Sequence, residues 1–346
     1  MTESLKIGII GAGSNTRAKH IPKLLEIPGV RIEVVCNRSE ESSRRAADEF
    51  GIPRTASQWQ EVVADPDLDA VVIGTWPYLH APISIAALEA GKHVLCEARM
   101  AMNAHEADAM LAAAERHPDL VAQIVPSPFT LHWDRFIQRN LAEGLIGDLL
   151  AVDVFATSHA FLNPDLPMSW RQDIRLSGLN VMGMGIYYEA MARWTGHAKT
   201  VKALGRVQVK QRPDETGTLQ DLYVPDHVDV FGELHSGASY HLRCSQITGA
   251  CPTPDDFILY GEKGTLRLDL TQKQLWLSTP DQPDPRLLQV PEAEQGFWRV
   301  EAEFIGAIRG EEPVRLTSFP EACAYMHFTQ KVADELQIAP SEVRKP

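Results

Sequence analysis

A chain of 346 residues has room for two ordinary domains, and its content of 44% hydrophobic and 23% charged residues is that of a globular protein. Asp and Glu (46) outnumber Lys and Arg (33), and the formal net charge of −13 argues against nucleic acid or an anionic membrane as partner. Five scattered cysteines make no disulfide framework. With no apolar run of about 20 residues and no leader-like start, a cytoplasmic location is expected.

Leu5–Ile10 is a short apolar run that predicts a buried strand, and Gly11-Ala12-Gly13 turns the chain after it. Ile21, Leu24 and Leu25 then recur at helical spacing, with Pro22 tolerable near the helix start. Residues 30–36 predict a second strand, Ala46, Ala47 and Phe50 a helix, and residues 70–73 a third strand. Ile83, Ala86 and Ala87 mark a helix closed by Gly91, and 94–96 is the fourth strand. Ala107, Met110, Leu111 and Ala114 mark the next helix before a fifth strand at 121–125. This alternation implies an α/β domain over residues 1–125, a doubly wound parallel sheet.

Pro126-Ser127-Pro128 breaks the rhythm, and a helix is predicted over 133–143. The chain then turns β-rich, with strands at 149–156, 200–210, 229–235, 239–247, 257–260 and 265–270, interrupted by a helix at 182–194. Short glycine-containing turns between several of them predict antiparallel hairpins. Residues 126–346 therefore read as an α+β domain with a mostly antiparallel sheet. Its last helices, at 299–309 and 320–337, are expected to pack on that sheet or on the first domain. Val207, Val209, Val230, Leu234 and Leu242 supply apolar alternation for an uncovered sheet face, which predicts a homo-oligomer, dimer or tetramer, built on that sheet.

Gly11-Ala12-Gly13-Ser14-Asn15-Thr16 follows a strand and opens a helix, the context that a dinucleotide fingerprint requires. The first glycine allows the turn, and the second lets backbone approach a pyrophosphate at the helix N-terminus. Thr16 stands where a third glycine belongs. At the end of the second strand an acid would hold the ribose of NAD, but here the residues are Asn37-Arg38-Ser39. Two hydrogen-bonding groups around a cation favour NADP. NAD, with Arg38 stacked on adenine, is the alternative.

Thr75-Trp76-Pro77-Tyr78-Leu79-His80, Ala87-Leu88-Glu89-Ala90-Gly91-Lys92-His93-Val94 and Trp170-Arg171 join the glycine loop in resembling the glucose–fructose oxidoreductase, inositol dehydrogenase and rhizopine-catabolism (Gfo/Idh/MocA) family. The resemblance covers nearly the whole chain. It implies a Rossmann domain followed by a domain with a large open, mostly antiparallel sheet that commonly forms oligomer contacts. It also implies NAD(P)-dependent oxidation or reduction of hydroxyl or keto groups of sugars, inositols and related compounds. The family usually has Glu-Lys-Pro after the fourth strand; this chain has Glu97-Ala98-Arg99. Aligning the family's Asp-x-Gly-x-His run on Gly185 puts Gly183 at the Asp and Tyr187 at the His, and Ala190 at a later Asp.

The candidate catalytic residues are therefore Tyr187, Arg171, Arg99 and His80. Tyr187, a phenol of pKa near 10, is expected to donate a proton to a carbonyl, with Arg171 or Arg99 lowering its pKa; a satisfied core tyrosine is the alternative. For Arg99 the alternative is a surface or inter-domain salt bridge, and for His80 a helix-start histidine bonded to backbone. Thr75, Trp76, His80, Glu97, Trp170 and Arg171 join Gly11, Gly13, Ser14, Asn15, Thr16, Asn37, Arg38 and Ser39 as candidate cofactor contacts. No metal site is expected: His235, His241, Cys244 and Cys251 have suggestive spacing, but strand alternation separates them. The leading function is an NAD(P)-dependent oxidoreductase acting on a small, polyhydroxylated hydroxyl or carbonyl compound. The alternatives are a redox-assisted isomerase, lyase or glycosidase that retains NAD(H), and a non-catalytic nucleotide-sensing regulator.

Overall fold

The structure, a computed structural model, describes residues 4–251 and 254–338. It divides into two compact units: the chain up to Pro126 with Arg299–Met326, and Ser127–Trp298 with the chain from His327.

The first unit holds a six-stranded parallel sheet of β1 (Leu5–Ile10), β2 (Val30–Cys36), β3 (Arg54–Ala56), β4 (Ala70–Ile73), β5 (His93–Cys96) and β6 (Ala122–Ile124). The order is β3-β2-β1-β4-β5-β6. β1 and β4 are near-continuous apolar runs because helices cover a parallel sheet on both faces. Those helices include α1 (Ile21–Leu25), α2 (Glu40–Phe50), α3 (Trp59–Ala64), α4 (His80–Glu89) and α5 (Ala104–Arg116). β3 was not expected from the sequence: it is three residues long, and Arg54 and Thr55 are exposed. The order reverses at β1, between β2 and β4, and this opens a crevice at the carboxyl ends of those strands. The segment expected as a helix at 299–309 forms Val300–Ile308 in this unit, and Gln123 at the sheet edge bridges to Ser318.

The second unit holds an eight-stranded sheet built from β7 (Leu149–Thr157), β8 (Lys202–Arg206), β11 (His227–Glu233), β12 (Ser239–Ser245), β13 (Asp255–Gly261), β14 (Thr265–Asp269), β15 (Gln274–Thr279) and β16 (Gln282–Leu288). β9 (Gln211–Pro213) and β10 (Leu219–Asp221) form a separate hairpin. The large sheet runs β16-β15-β14-β13-β7-β12-β11-β8, antiparallel except between β12 and β7. The helices of this part of the chain include α6 (Leu131–Ala142), α7 (Ile174–Ser177) and α8 (Met184–Thr195). α8 lies on β7 and β12, and on the face it covers Val152, Val154, Val230, Leu242, Phe257 and Leu259 are all buried.

This corrects one expectation. Val230, Leu234 and Leu242 are buried within the chain instead of lining an uncovered face, and β8 ends before Val207 and Val209. The other face carries Asp153, Asp229, His241, Arg243 and Arg267, with Asp229 accepting from Arg243 Nε at 2.6 Å. β16 escaped the sequence reading because Pro283 and Pro285 interrupt it, which only an edge strand tolerates. Among the described residues, no helix is long and apolar enough to cross a membrane.

Candidate active site

The glycine loop stands at the mouth of the crevice, and its two glycines answer different demands. Gly11 has φ +90°, and a Cβ there would lie 2.7 Å from the Gly74 carbonyl carbon and the Thr75 nitrogen. The fold itself therefore requires glycine. At Gly13 a Cβ would meet only the Gly74 oxygen at 3.5 Å, an ordinary contact. Thr16 occupies the third position without conflict because the residue facing it is Gly74, whose added Cβ would collide with Thr16 Oγ1 and the Gly11 oxygen. The helix after the loop begins with the Arg17 N–H bonded to the Gly13 carbonyl at 3.0 Å, runs through a π-helical turn at Thr16–His20, and continues as α1.

At the end of β2, the polar residues divide their work. Asn37 Oδ1 accepts the Ala12 N–H at 2.6 Å and Asn37 Nδ2 donates to the Ser42 carbonyl, so this side chain ties the glycine loop to α2. Ser39 caps α2 through a reciprocal pair with Ser42. Both were expected as cofactor donors; the bonds they make are to the scaffold. Arg38 is exposed, with its guanidinium 6.0 Å from the Trp76 ring centroid. Gly11, Gly13, Asn37, Arg38, Thr75 and Trp76 line one cavity of about 560 Å³.

β5 delivers Glu97 to a buried charge cluster that the sequence reading missed. Glu97 Oε1 lies 3.0 Å from His20 Nε2 and accepts from Asn15 Nδ2, while His20 Nδ1 lies 2.6 Å from Glu301 Oε1. Burial opposes a charge on His20, but its bonds to Glu301 and Glu97 outweigh that and raise its pKa to about 9. Burial likewise works against the Glu97 carboxylate, and the His20 and Asn15 bonds overcome it, holding its pKa below the usual range. Glu97 is thus a fixed carboxylate beneath the glycine-loop helix.

His80 is fully buried, with Nδ1 2.8 Å from the Arg99 carbonyl oxygen and Nε2 3.0 Å from that of Thr75. Both nitrogens are engaged with backbone, the helix-start alternative named above, and burial holds its pKa down. Arg99 is 2% exposed, which removes the surface salt bridge as its explanation, and the Ala98–Arg99 peptide is cis.

In the second unit Tyr187, on α8, donates from Oη to Asp255 Oδ1 at 2.6 Å. Its ring packs 4.8 Å from Phe129 and 6.0 Å from Phe257. Burial first, then the Asp255 carboxylate, push the phenol pKa far up. The expected arginine effect on Tyr187 is therefore reversed in sign: the charged partner bonded to it is an acid. Asp255 itself is raised by burial. Sequence reading missed it because nothing local marks an aspartate 68 residues from its partner. Arg171 is exposed and stacks 4.3 Å over the Trp170 ring. His241 and Cys244 lie on opposite faces of β12, as alternation requires.

Comparison with known proteins agrees with this architecture. A levoglucosan dehydrogenase solved with NADH and L-sorbose superposes with a TM-score of 0.85 at 22% identity, over 96% of this chain and 97% of that one. A biliverdin reductase from Synechocystis sp. PCC 6803, solved with biliverdin and NADP+, gives 0.77 at 18% identity, over 96% of this chain and 98% of the other. In sequence, the levoglucosan dehydrogenase of Pseudarthrobacter phenanthrenivorans is 28% identical over 62% of this chain and 57% of its own length. The 1,5-anhydro-D-fructose reductase of Ensifer adhaerens is 36% identical over 47% of this chain and 48% of its own. The chain spans about half the length of the curated relatives it matches. The family described as oxidoreductases with an NAD-binding Rossmann fold matches residues 5–124, and the GFO/IDH/MocA C-terminal domain matches residues 135–267. With both domains matched in order on this architecture, the chain belongs to the GFO/IDH/MocA oxidoreductase family.

Proposed function

We propose that the chain is an NADP-dependent oxidoreductase acting on a carbonyl or hydroxyl group of a sugar-like compound. The observation that carries the cofactor assignment is Gly13. The protein has no steric need for glycine there, so the missing side chain leaves a cradle at a helix start inside a cavity of about 560 Å³. The backbone of Gly13, Ser14 and Asn15 would hold the pyrophosphate. Arg38, the exposed cation on the cavity rim, would hold a 2′-phosphate, while Asn37 and Ser39 keep the loop in shape. Thr75 and Trp76 would wall the crevice. In the second unit Tyr187 is the candidate proton donor, and Arg171 is held over the Trp170 ring.

A bound nicotinamide supplies hydride chemistry. The chain's own task is to orient the reactants and move the proton. The names of two relatives, levoglucosan dehydrogenase and 1,5-anhydro-D-fructose reductase, suggest anhydrosugars as the first compounds to assay. Five free thiols, four of them buried, suit a reducing cytoplasmic compartment. We place a homo-oligomer contact on the open sheet face, where Leu204 and Phe231 are 65% and 50% exposed. A monomer by light scattering at micromolar concentration would reject that contact.

The test is binding of NADPH and NADH by fluorescence, followed by turnover with anhydrosugars and their keto forms. Arg38→Ala should weaken NADPH by roughly 10–100-fold, the worth of charge-assisted hydrogen bonds, and leave NADH nearly unchanged. Equal, unaltered affinities would reject NADP preference. Tight binding without turnover of any sugar would favour the nucleotide-sensing reading.

A further inference from the structure

The Tyr187–Asp255 pair has a chemistry that the tyrosine alone lacks. Tyr187 carries one O–H, and it is already given to Asp255. While Asp255 is ionised, that proton cannot be offered elsewhere, and a phenolate beside a carboxylate would be strongly disfavoured. Protonation of Asp255 reverses the direction of the bond: the carboxyl O–H donates to Tyr187 Oη, and the phenolic proton becomes free to leave.

The strand pattern shows that Asp255 stands at an unusual place. It shares the helix-covered face of β13 with Phe257 and Leu259, both fully buried, so its position at the strand start continues an apolar row with an acid. A lone carboxylate there would be costly. Its bonded partner is a phenol, which can satisfy either protonation state.

The geometry points to Tyr187 and Asp255 as a proton-transfer dyad, Asp255 acting as the positioning residue that supplies and withdraws the proton of Tyr187. This rests on the oxidoreductase reading above. In the reductive direction, the carbonyl carbon gains a C–H bond and the π pair passes to oxygen, the reductant being a reduced nicotinamide dinucleotide. That oxygen takes the Tyr187 proton, the Asp255 proton moves onto Tyr187 Oη, and Asp255 is left as carboxylate, to be reprotonated from water. In the oxidative direction the carbinol carbon gives its hydride to an oxidised nicotinamide dinucleotide while the Asp255 carboxylate draws the alcohol proton through Tyr187, so the dyad supplies the base that a bare phenol is not.

The groups bearing on the dyad among the described residues are few. Burial and Asp269 on β14 disfavour the Asp255 carboxylate, while the Tyr187 bond favours it. Cys244 on β12 also acts on Tyr187. Asp256, the next residue on β13, lies on the opposite face and accepts from Arg267 Nε at 2.6 Å. It also weighs on the balance at β13, being itself raised by burial and, among other groups, by Asp269 and Asp255.

The test has two arms. In cofactor-free protein with ¹³C-labelled aspartate, Asp255 should titrate above the ordinary value of about 3.9 and rise further in Tyr187→Phe, which removes the bond that steadies the carboxylate. With NADPH and 1,5-anhydro-D-fructose as probe, wild-type reduction should fall as pH rises through that titration. Asp255→Asn should lower it by about 10²-fold and abolish the pH limb, Asp255→Glu should restore part of it, and Tyr187→Phe should lose about 10²–10⁴-fold with NADPH affinity retained. Titration of Asp255 at its ordinary value, or an Asp255→Asn enzyme that keeps the wild-type pH profile, would overturn the dyad. If the probe sugar is not turned over, the oxidoreductase reading suffers, and the titration arm still decides the dyad by itself.

Discussion

Two acid-bearing centres, a buried one in the first unit and a part-buried one in the second, behave in opposite ways. In the first unit His20 lies between Glu97 and Glu301, and its cation and their bonds drive His20 and Glu97 toward their charged forms. In the second unit Tyr187 and Asp255 are both driven toward their neutral forms, because neither supplies a positive charge for the other. The difference lies in what burial meets: a compensating cation in one case and a second acid in the other. A compensated cluster holds its protons tightly and suits a structural tie. Two weak acids sharing a proton at 2.6 Å leave that proton transferable.

Removing the cation breaks the first centre. His20→Leu would leave Glu97 and Glu301 buried without it and should destabilise the protein by about 3–5 kcal/mol in denaturant unfolding. Tyr187→Phe should cost only about 1 kcal/mol, since Asp255 can meet the loss by staying protonated. Equal losses would erase the contrast between the centres.

A smaller effect follows from pH. His20 rises from 6.5 to about 9 on folding, so its stabilisation is complete below pH 6.5 and is lost as pH climbs through about 9. The window is worth about 3 kcal/mol and should appear as a Tm that falls across it. His20→Leu should flatten that slope, whereas Tyr187→Phe should leave it in place.

The smallest change in stability is expected in the glycine loop itself. Gly13→Ala, with its nearest new contact at 3.5 Å, should alter unfolding free energy by about 1 kcal/mol or less. If the proposed cradle is right, it should nevertheless weaken NADPH at least about 10-fold, because the added methyl enters the space proposed for the pyrophosphate. Loss of stability without loss of affinity would show that Gly13 serves the fold after all.

Much of this was legible in the sequence where the physics is local. Apolar runs and helical periodicity marked β1, β2, β4 and β5, and Gly11-Ala12-Gly13 between β1 and the helix marked the nucleotide crevice. Each signal needs only a few neighbouring residues. β3 and β16 were missed because short or proline-bearing edge strands carry little periodic signal.

Apolar runs and the glycine loop were enough to foretell a doubly wound sheet with that loop at its switch point, and the resemblance to the family proposed Tyr187 as the residue in its histidine's place. What those residues touch emerged from the folded chain alone. Asn37 and Ser39 looked like ligand donors until the fold brought Ala12 and Ser42 to them. Thr16 became acceptable because Gly74 arrived opposite it, and Glu97 became fixed because Glu301, 281 residues from His20, completed the cluster. Tyr187 met an acid where an arginine was expected. Hydrogen bonds and pKa shifts depend on groups within a few ångströms, and chain folding chooses those groups without regard to their separation in sequence.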